Sequence, residues 1–481
     1  MSFTVFSVKK WFISSLLFFI LVSGIHSQKT QFEGVFRYRL DNGLELFVVE
    51  DHTNPLVTID VSVRCGSIAQ TKQTAGLFHL FEHMIFNGNE LYDSTEKMEN
   101  ALNKLGVYDY NAYTGFESLS YFFTIPVKKL EEGLVFLNYA VRTPLLDKDR
   151  LELEKKIVLA EVEGRASTEG QFLYQFVQNH LFPENKWAVD VGGSKDVILN
   201  ATVSQLKDIQ NQFFIPNNCA LFIGGDVKAE EVYELVNKIY GDWPKSEDPW
   251  SKKKIQFKRR PGSKTQYFVF KSEYTPKELM YVNVFYRGPD SEYDLKDTYT
   301  ADFLSTVLKQ QGSIYTKHFM TSLYYEIPSS EYLDFYYLSS KRLGVIHAPA
   351  SFRSPNYMPA KRTKKFVSEI ENQLILSVEA AVSDEASVKA IMKNFENNIL
   401  FEGETLESQL KYIKGWWETA DSDYYFSYVE NLNKVTKQDL KSYINKYIHN
   451  GRPVVVVSLN PEVFKDCVNE YKRNGFKVIE K

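Results

Sequence analysis

The sequence predicts an α+β fold of two similar domains, each a mainly antiparallel sheet with helices packed on it. Three observations carry this. Short runs of β-branched and aromatic residues, bounded by turn signals, are interleaved with amphipathic stretches of helical period. Residues 242–262, rich in Pro, Lys, Arg and Ser, interrupt that pattern near the middle of the 481 residues. Beyond them the pattern restarts: Val282-Asn-Val-Phe-Tyr-Arg-Gly288 echoes Val61-Ser-Val-Arg-Cys-Gly66, and a helical stretch follows each. That echo suggests a duplicated unit. The expected division is a leader at 1–27, a first domain at 28–245, a linker at 246–262 and a second domain at 263–481.

At the N-terminus, Lys9-Lys10 precede a twelve-residue apolar run, Trp11 to Val22, and then Ser23-Gly24-Ile25-His26-Ser27. This is the layout of a secretory signal peptide, cleaved after Ser27 or Gly24. Twelve residues are too few to cross a bilayer, and no later run is long enough, so the chain is expected to be exported, periplasmic or secreted, without a transmembrane anchor. Losing Lys9 and Lys10 takes the formal net charge from −4 to −6. With no concentrated basic patch, nucleic acid is not an expected partner. Cys65, Cys219 and Cys467 are odd in number and far apart, which gives no disulfide framework.

In chain order, Phe36 to Glu50 reads as two strands around an Asn42-Gly43 turn, and Val57 to Val63 as a third. Asp93 with Glu96 has capping-box spacing for a helix that ends at Gly106. Tyr110 to Pro126 is strand-rich, Asp147 to Arg165 helical, and Cys219 to Val227 a strand before a helix near 229–240. In the second half, Leu343 to Lys361, with Pro349, Pro355 and Pro359, reads as a surface loop. Helices are expected at 364–379, 384–395 and 437–447, and a final strand at 453–459. The region of Trp416-Trp417 carries no clear assignment.

The chemistry gathers at Gly76 to Gly88. Leu77, Phe78, Leu80, Phe81, Met84 and Ile85 recur with helical period, so His79 and His83 share one face and Glu82 lies beside it. Two neutral imidazoles four residues apart can reach one zinc ion, and a neighbouring carboxylate can accept a proton from water. The order H-x-x-E-H inverts the better-known zinc helix. Further on, Glu154 and Glu161 lie two turns apart on one face with Ile157 and Val158, whereas Glu152 and Glu163 read as solvated. Spacing alone leaves open whether Glu161 is a ligand.

His79-x-x-Glu82-His83 followed by Glu154-Lys-Lys-Ile-Val-Leu-Ala-Glu161, with 78 positions from His83 to Glu161 and Asn111-Ala112-Tyr113-Thr114 between, resembles the pitrilysin, insulin-degrading and mitochondrial-processing peptidase family. The resemblance implies one zinc per chain held by His79, His83 and Glu161, with Glu82 as general base and Glu154 as a carboxylate behind the ligands. It implies that Asn111 and Ala112 pair with the main chain of a peptide or unfolded protein segment. It also implies tandem similar domains, the second without a metal site. Members of the family carry an arginine and a tyrosine seven apart in that second domain. Here Tyr325 keeps the tyrosine, but His318, beside Lys317, stands at the arginine position. A zinc metalloendopeptidase working as a dimer is therefore expected, either a homodimer or a heterodimer with a related subunit that carries the arginine and tyrosine. The alternative is a non-catalytic scaffold or peptide-binding subunit.

Overall fold

The structure, a computed structural model, describes residues 34–480 except 108–109, 167, 185–186, 252–263, 311 and 355–357. The expected leader and most of the expected linker lie outside the described residues.

Two six-stranded sheets organise the chain. The first contains β1 (Val35–Arg39), β2 (Glu45–Glu50), β3 (Leu56–Val63), β4 (Tyr110–Thr114), β5 (Leu119–Pro126) and β6 (Cys219–Gly225), in the order β1-β2-β6-β3-β5-β4. All pairings are antiparallel except β2 with β6. Its helices are α1 (Leu77–Ile85), α2 (Thr95–Leu105), α3 (Leu130–Arg142), α4 (Lys148–Ala166), α5 (Glu169–Leu181), α6 (Lys195–Leu199), α7 (Val203–Phe213) and α8 (Ala229–Tyr240). The cap of α2 is one residue later than the sequence suggests. Ser94 accepts from the Lys97 amide, while Asp93 pairs with the Lys97 ammonium group.

The second sheet contains β7 (Gln266–Lys271), β8 (Leu279–Arg287), β9 (Tyr336–Leu338), β10 (Val345–Arg353), β11 (Val454–Leu459) and β12 (Lys477–Ile479), in the order β12-β7-β11-β8-β10-β9. Its helices are α9 (Leu295–Lys309), α10 (Ile314–Thr321), α11 (Pro359–Ala381), α12 (Glu385–Glu402), α13 (Leu406–Thr419), α14 (Ser422–Leu432), α15 (Lys437–Tyr443) and α16 (Pro461–Arg473). The five strands from β7 to β11 repeat the order of β2 to β6, and α9 follows β8 as α1 follows β3.

Two expectations are corrected here. Residues 345–353, expected in a loop, form β10. Pro349 is tolerated because its carbonyl faces away from β8 and accepts from the Asp334 amide, so the missing N–H removes no bond to β8. The strand at 454–459 is not the last: β12 follows α16 and pairs parallel with β7.

Each sheet is covered on one face by its own helices and on the other by a helix from the opposite half. Along β2 and β6, Leu46, Val48, Leu221 and Ile223 belong to the core of the first half. Their alternates Phe47, Val49, Ala220 and Phe222 pack instead with Leu410, Ile413 and Trp417 of α13. In return, Val177 and Leu181 of α5 pack with Phe268 and Phe270 of β7 and with Val454 and Val456 of β11. Strands buried on both faces have no polar alternation, which explains the continuous apolar runs at 219–223 and 454–457.

One ion pair sits within the α13 contact. Asp60, in the middle of β3, accepts from Ser62 Oγ at 2.9 Å and Ser120 Oγ at 2.7 Å, and Lys414 of α13 reaches its other oxygen at 2.5 Å. Both side chains are nearly inaccessible to solvent. Removing one partner of such a pair strands a charge. Lys414→Met is expected to destabilise the protein by roughly 3 kcal/mol, read as a lower denaturant midpoint, and adding Asp60→Asn should restore a good part of the loss.

Candidate metal centre

The start of α1 is set by Gly76, whose φ of +95° is left-handed and whose position would bring a Cβ to 2.9 Å from the Gly192 carbonyl oxygen. From there the helix buries Leu77, Phe78, Leu80, Phe81, Met84 and Ile85 against the sheet. His79 and His83 fall on the flank that meets α4. Their rings lie 5.0 Å apart, edge to face.

Glu161 of α4 stands opposite. Its Oε2 lies 3.6 Å from His79 Nε2 and 3.4 Å from His83 Nε2. Ligand bonds of about 2.1 Å at tetrahedral angles put donor atoms about 3.4 Å apart, so both nitrogen-to-oxygen distances are close to the spacing that zinc requires, and all three donors lie within 4.8 Å of one another. Two imidazole nitrogens and one carboxylate oxygen are also the donor types of an open zinc site. The other oxygen of Glu161 accepts from the Arg165 guanidinium, one turn on.

Glu154 turns towards the same histidine from behind. Its Oε2 is 3.1 Å from His83 Nδ1, and its Oε1 accepts from Asn87 Nδ2 at 3.1 Å. An Nδ1–H held in this way leaves the Nε2 lone pair facing Glu161. Asn87 also donates to the His83 carbonyl at 2.9 Å, which locks the end of α1 to α4. Glu154 is 8% exposed. The apolar stripe expected beside it is only half right: Val158 is buried, but Ile157 is 45% exposed and lines the cavity in front of the histidines.

Glu82 projects into that cavity, of about 340 Å³, which Asn111 and Ala112 of β4 also line. Thr114 Oγ1 donates to Glu82 Oε2 at 2.5 Å. Burial raises the Glu82 pKa, and the Thr114 bond opposes the rise. Burial, with His83 next in size, lowers His79 to about 4 and keeps it neutral. At His83 burial also acts downward, but the bond to Glu154 and the surrounding carboxylates prevail and the pKa rises.

The structure thus brings His83, Glu82, Glu154, Asn111 and Ala112 around one cavity, with His79 and Glu161 grouped beside His83. Tyr325 is elsewhere. It is 1% exposed, and its hydroxyl donates to Glu369 of α11 at 2.6 Å, where His318 Nε2 meets the same oxygen at 3.0 Å. Sequence reasoning missed Thr114, Asn87 and Arg165 as members of the site. Arg165 was detectable at i+4 from Glu161, whereas the other two act across elements. A link also runs to the second half: the Tyr113 hydroxyl donates to Glu418 of α13 at 2.6 Å, and the Lys414 ammonium lies 4.6 Å from the Tyr113 ring centre.

The family model described as Insulinase (Peptidase family M16) matches residues 46–191, and that of the Peptidase M16 inactive domain matches 200–334. The zinc protease PqqE of Helicobacter pylori is 25% identical over 242 residues, 49% of this chain and 53% of that protein. The mitochondrial-processing peptidase subunit beta of Saccharomyces cerevisiae is 23% identical over 46% of this chain and 47% of its own length. The insulin-degrading enzyme of Bos taurus is 24% identical over 22% of its length. The matched part therefore spans about half the length of these relatives, or less. Among solved structures, the first half of the periplasmic protease PqqL from Escherichia coli has a TM-score of 0.71 at 14% identity, covering 95% of this chain and 99% of that one. A protease from Helicobacter pylori has a TM-score of 0.66 at 18% identity, covering 88% and 98%. These structures share the fold.

The geometry separates two neighbouring glutamates on α4. Glu161→Gln should weaken zinc binding by more than about tenfold, because a charged donor is replaced by a neutral one and even the loss of a group behind the ligands costs about that much. Glu163 pairs with Lys195 at the surface, and Glu163→Gln should leave the affinity within about twofold. Competition with a chromophoric chelator measures both.

Proposed function

The chain belongs to the insulinase and pitrilysin (M16) peptidase family, and we propose that it is an exported zinc metalloendopeptidase hydrolysing peptides or unfolded protein segments. The observation that carries this reading is the convergence of His79 and His83 Nε2 on one oxygen of Glu161, with Glu82 beside them in an open cavity. A scaffold has no need of that set.

Held by His79, His83 and Glu161, one zinc ion would supply Lewis acidity towards water and towards the scissile carbonyl. Glu82 is the general base. Thr114 fixes its Oε2, which leaves Oε1 to take the proton of the attacking water and return it to the leaving amine. Glu154 and Asn87 hold His83 in the tautomer that presents Nε2. β4 ends the sheet order, and Asn111 and Ala112 line the cavity with Glu82. An extended peptide added along that edge would be read by its main chain rather than its side chains.

Export is supported by the leader-like sequence at 9–28, and among the described residues no helix is long and apolar enough to cross a membrane. A second subunit is part of the proposal. His318 and Tyr325 share the Glu369 carboxylate, so His318 does not offer a free cation in place of the arginine, whereas Lys317 is exposed. Either a homodimer using Lys317 or a related partner with the arginine and tyrosine completes the site. The mass and activity of the purified chain, before and after Lys317→Ala and His318→Ala, decide between them. Full activity as a monomer rejects both.

The base is tested by Glu82→Gln, which should keep zinc bound and lower the cleavage of an unfolded protein by on the order of a hundredfold or more. Cleavage near the wild-type rate would reject Glu82 as the base, and cleavage that survives a chelator would reject the zinc reading. Thr114→Val should lower kcat about tenfold with KM and zinc content unchanged, and Thr114→Ser should restore it.

A further inference from the structure

The second half has a cavity where the first has its metal centre. β8, α9 and the edge strand β9 correspond in order to β3, α1 and the edge strand β4, and α9 and β9 wall this cavity as α1 and β4 wall the other. It is the larger of the two, about 510 Å³. No histidine lines it. Six aromatic side chains do: Tyr336 and Tyr337 of β9, Phe395 of α12, Tyr412 and Trp416 of α13, and Tyr428 of α14.

Four of these rings form a connected cluster. Trp416 lies 4.9 Å from Tyr428 and 6.0 Å from Tyr412 between ring centres, and Phe395 lies 5.6 Å from Tyr428. Several of their polar ends already have partners. The Tyr337 hydroxyl donates to the Pro289 carbonyl, the Tyr336 hydroxyl bonds His347 Nδ1, and the Tyr428 hydroxyl donates to Asp302 at 2.5 Å. What these three leave for a ligand is mostly ring surface.

Asp302 is the exception. This carboxylate of α9 lines the cavity and, among the described residues, has no cation within 4 Å. Lys309, two turns along the helix, also lines the cavity but is exposed. A carboxylate among aromatic rings with one phenol for a partner is poorly solvated, and burial pushes its pKa up to about 7. A cation entering here would gain an ion pair and the negative faces of aromatic rings together.

We propose that this cavity is an accessory pocket for the cationic side chain of a peptide, with Asp302 as the pairing group and Trp416, Tyr412 and Tyr428 as its aromatic wall. An arginine side chain suits it well, because a planar guanidinium can stack on a ring and still donate to a carboxylate. That the cation belongs to a peptide rests on the peptidase reading; the pairing chemistry does not.

The test is calorimetric titration of the full chain with N-acetyl-arginine amide and its neutral isostere N-acetyl-citrulline amide, with and without a chelator. The arginine compound should bind one per chain, on the order of tenfold more tightly than citrulline, and indifferently to the chelator. Asp302→Asn should bring the two affinities together, and Lys309→Gln should leave arginine binding intact or tighter. Equal affinity for the two amides in the unmodified protein overturns the proposal without recourse to any variant. So does arginine binding unchanged by Asp302→Asn, or weakened by Lys309→Gln, which would mark an anion site. Selective arginine binding by a protein that cleaves no peptide would leave the pocket standing and reject the peptidase; cleavage without that selectivity would reject the pocket alone.

Discussion

Everything in this fold follows from the need to cover both faces of two sheets. A sheet with helices on one side leaves its other face to water, and here that face is apolar in both halves. The solution is reciprocal: α13 of the second half lies on the first sheet, and α5 of the first half lies on the second. Neither half can cover the second face of its own sheet, so the two are held together by the same hydrophobic burial that holds each together. The Lys414 to Asp60 pair adds direction to that contact, since an apolar face alone would tolerate sliding while a buried pair of opposite charges does not.

The candidate site inherits its geometry from this arrangement. α13 touches β4 through Glu418 and Lys414, both on Tyr113, and the next residue, Thr114, holds Glu82. The second half, which has no counterpart of the two histidines on α9, is therefore still placed to position Glu82 in the first. Within the site, three glutamates differ by their neighbours alone. Glu82 is half-buried with one hydroxyl donor, Glu154 is fixed by His83 and Asn87, and Glu161 faces both Nε2 atoms with one oxygen while Arg165 engages the other. Identical side chains thus acquire the different properties expected of a base, an orienting group and a ligand.

The correspondence between the halves shows what duplication preserves. Strand order and the helix after the third strand persist, because they are fixed by hydrophobic pattern and right-handed connection rules. Side chains facing the cavity are free of that constraint. On α1 they are Glu82 and His83; on the corresponding α9 they are Asp302, Ser305, Thr306 and Lys309, and aromatic rings fill much of the remaining wall.

Periodicity in the sequence was enough to determine the two-sheet α+β plan, the helix of His79 and His83, and the helix of Glu154 and Glu161, because period-2 and period-3.6 patterns follow directly from burying one face. It also placed His79, Glu82 and His83 together on one helix and Glu154 and Glu161 on one face of another; that the two groups meet came from the family resemblance. It could not give β10, since a proline at 349 is harmless only when its carbonyl points to the edge side, which depends on which neighbour pairs with which atom. The role of Trp417 was equally hidden, because its partner Phe222 lies 195 positions away on the other sheet. Tertiary structure alone decided that Thr114 and Asn87 support Glu82 and Glu154, and that Tyr325 turns to Glu369. A hydrogen bond between distant elements needs a few tenths of an ångström of placement, and one-dimensional patterning carries a residue's face but never its reach.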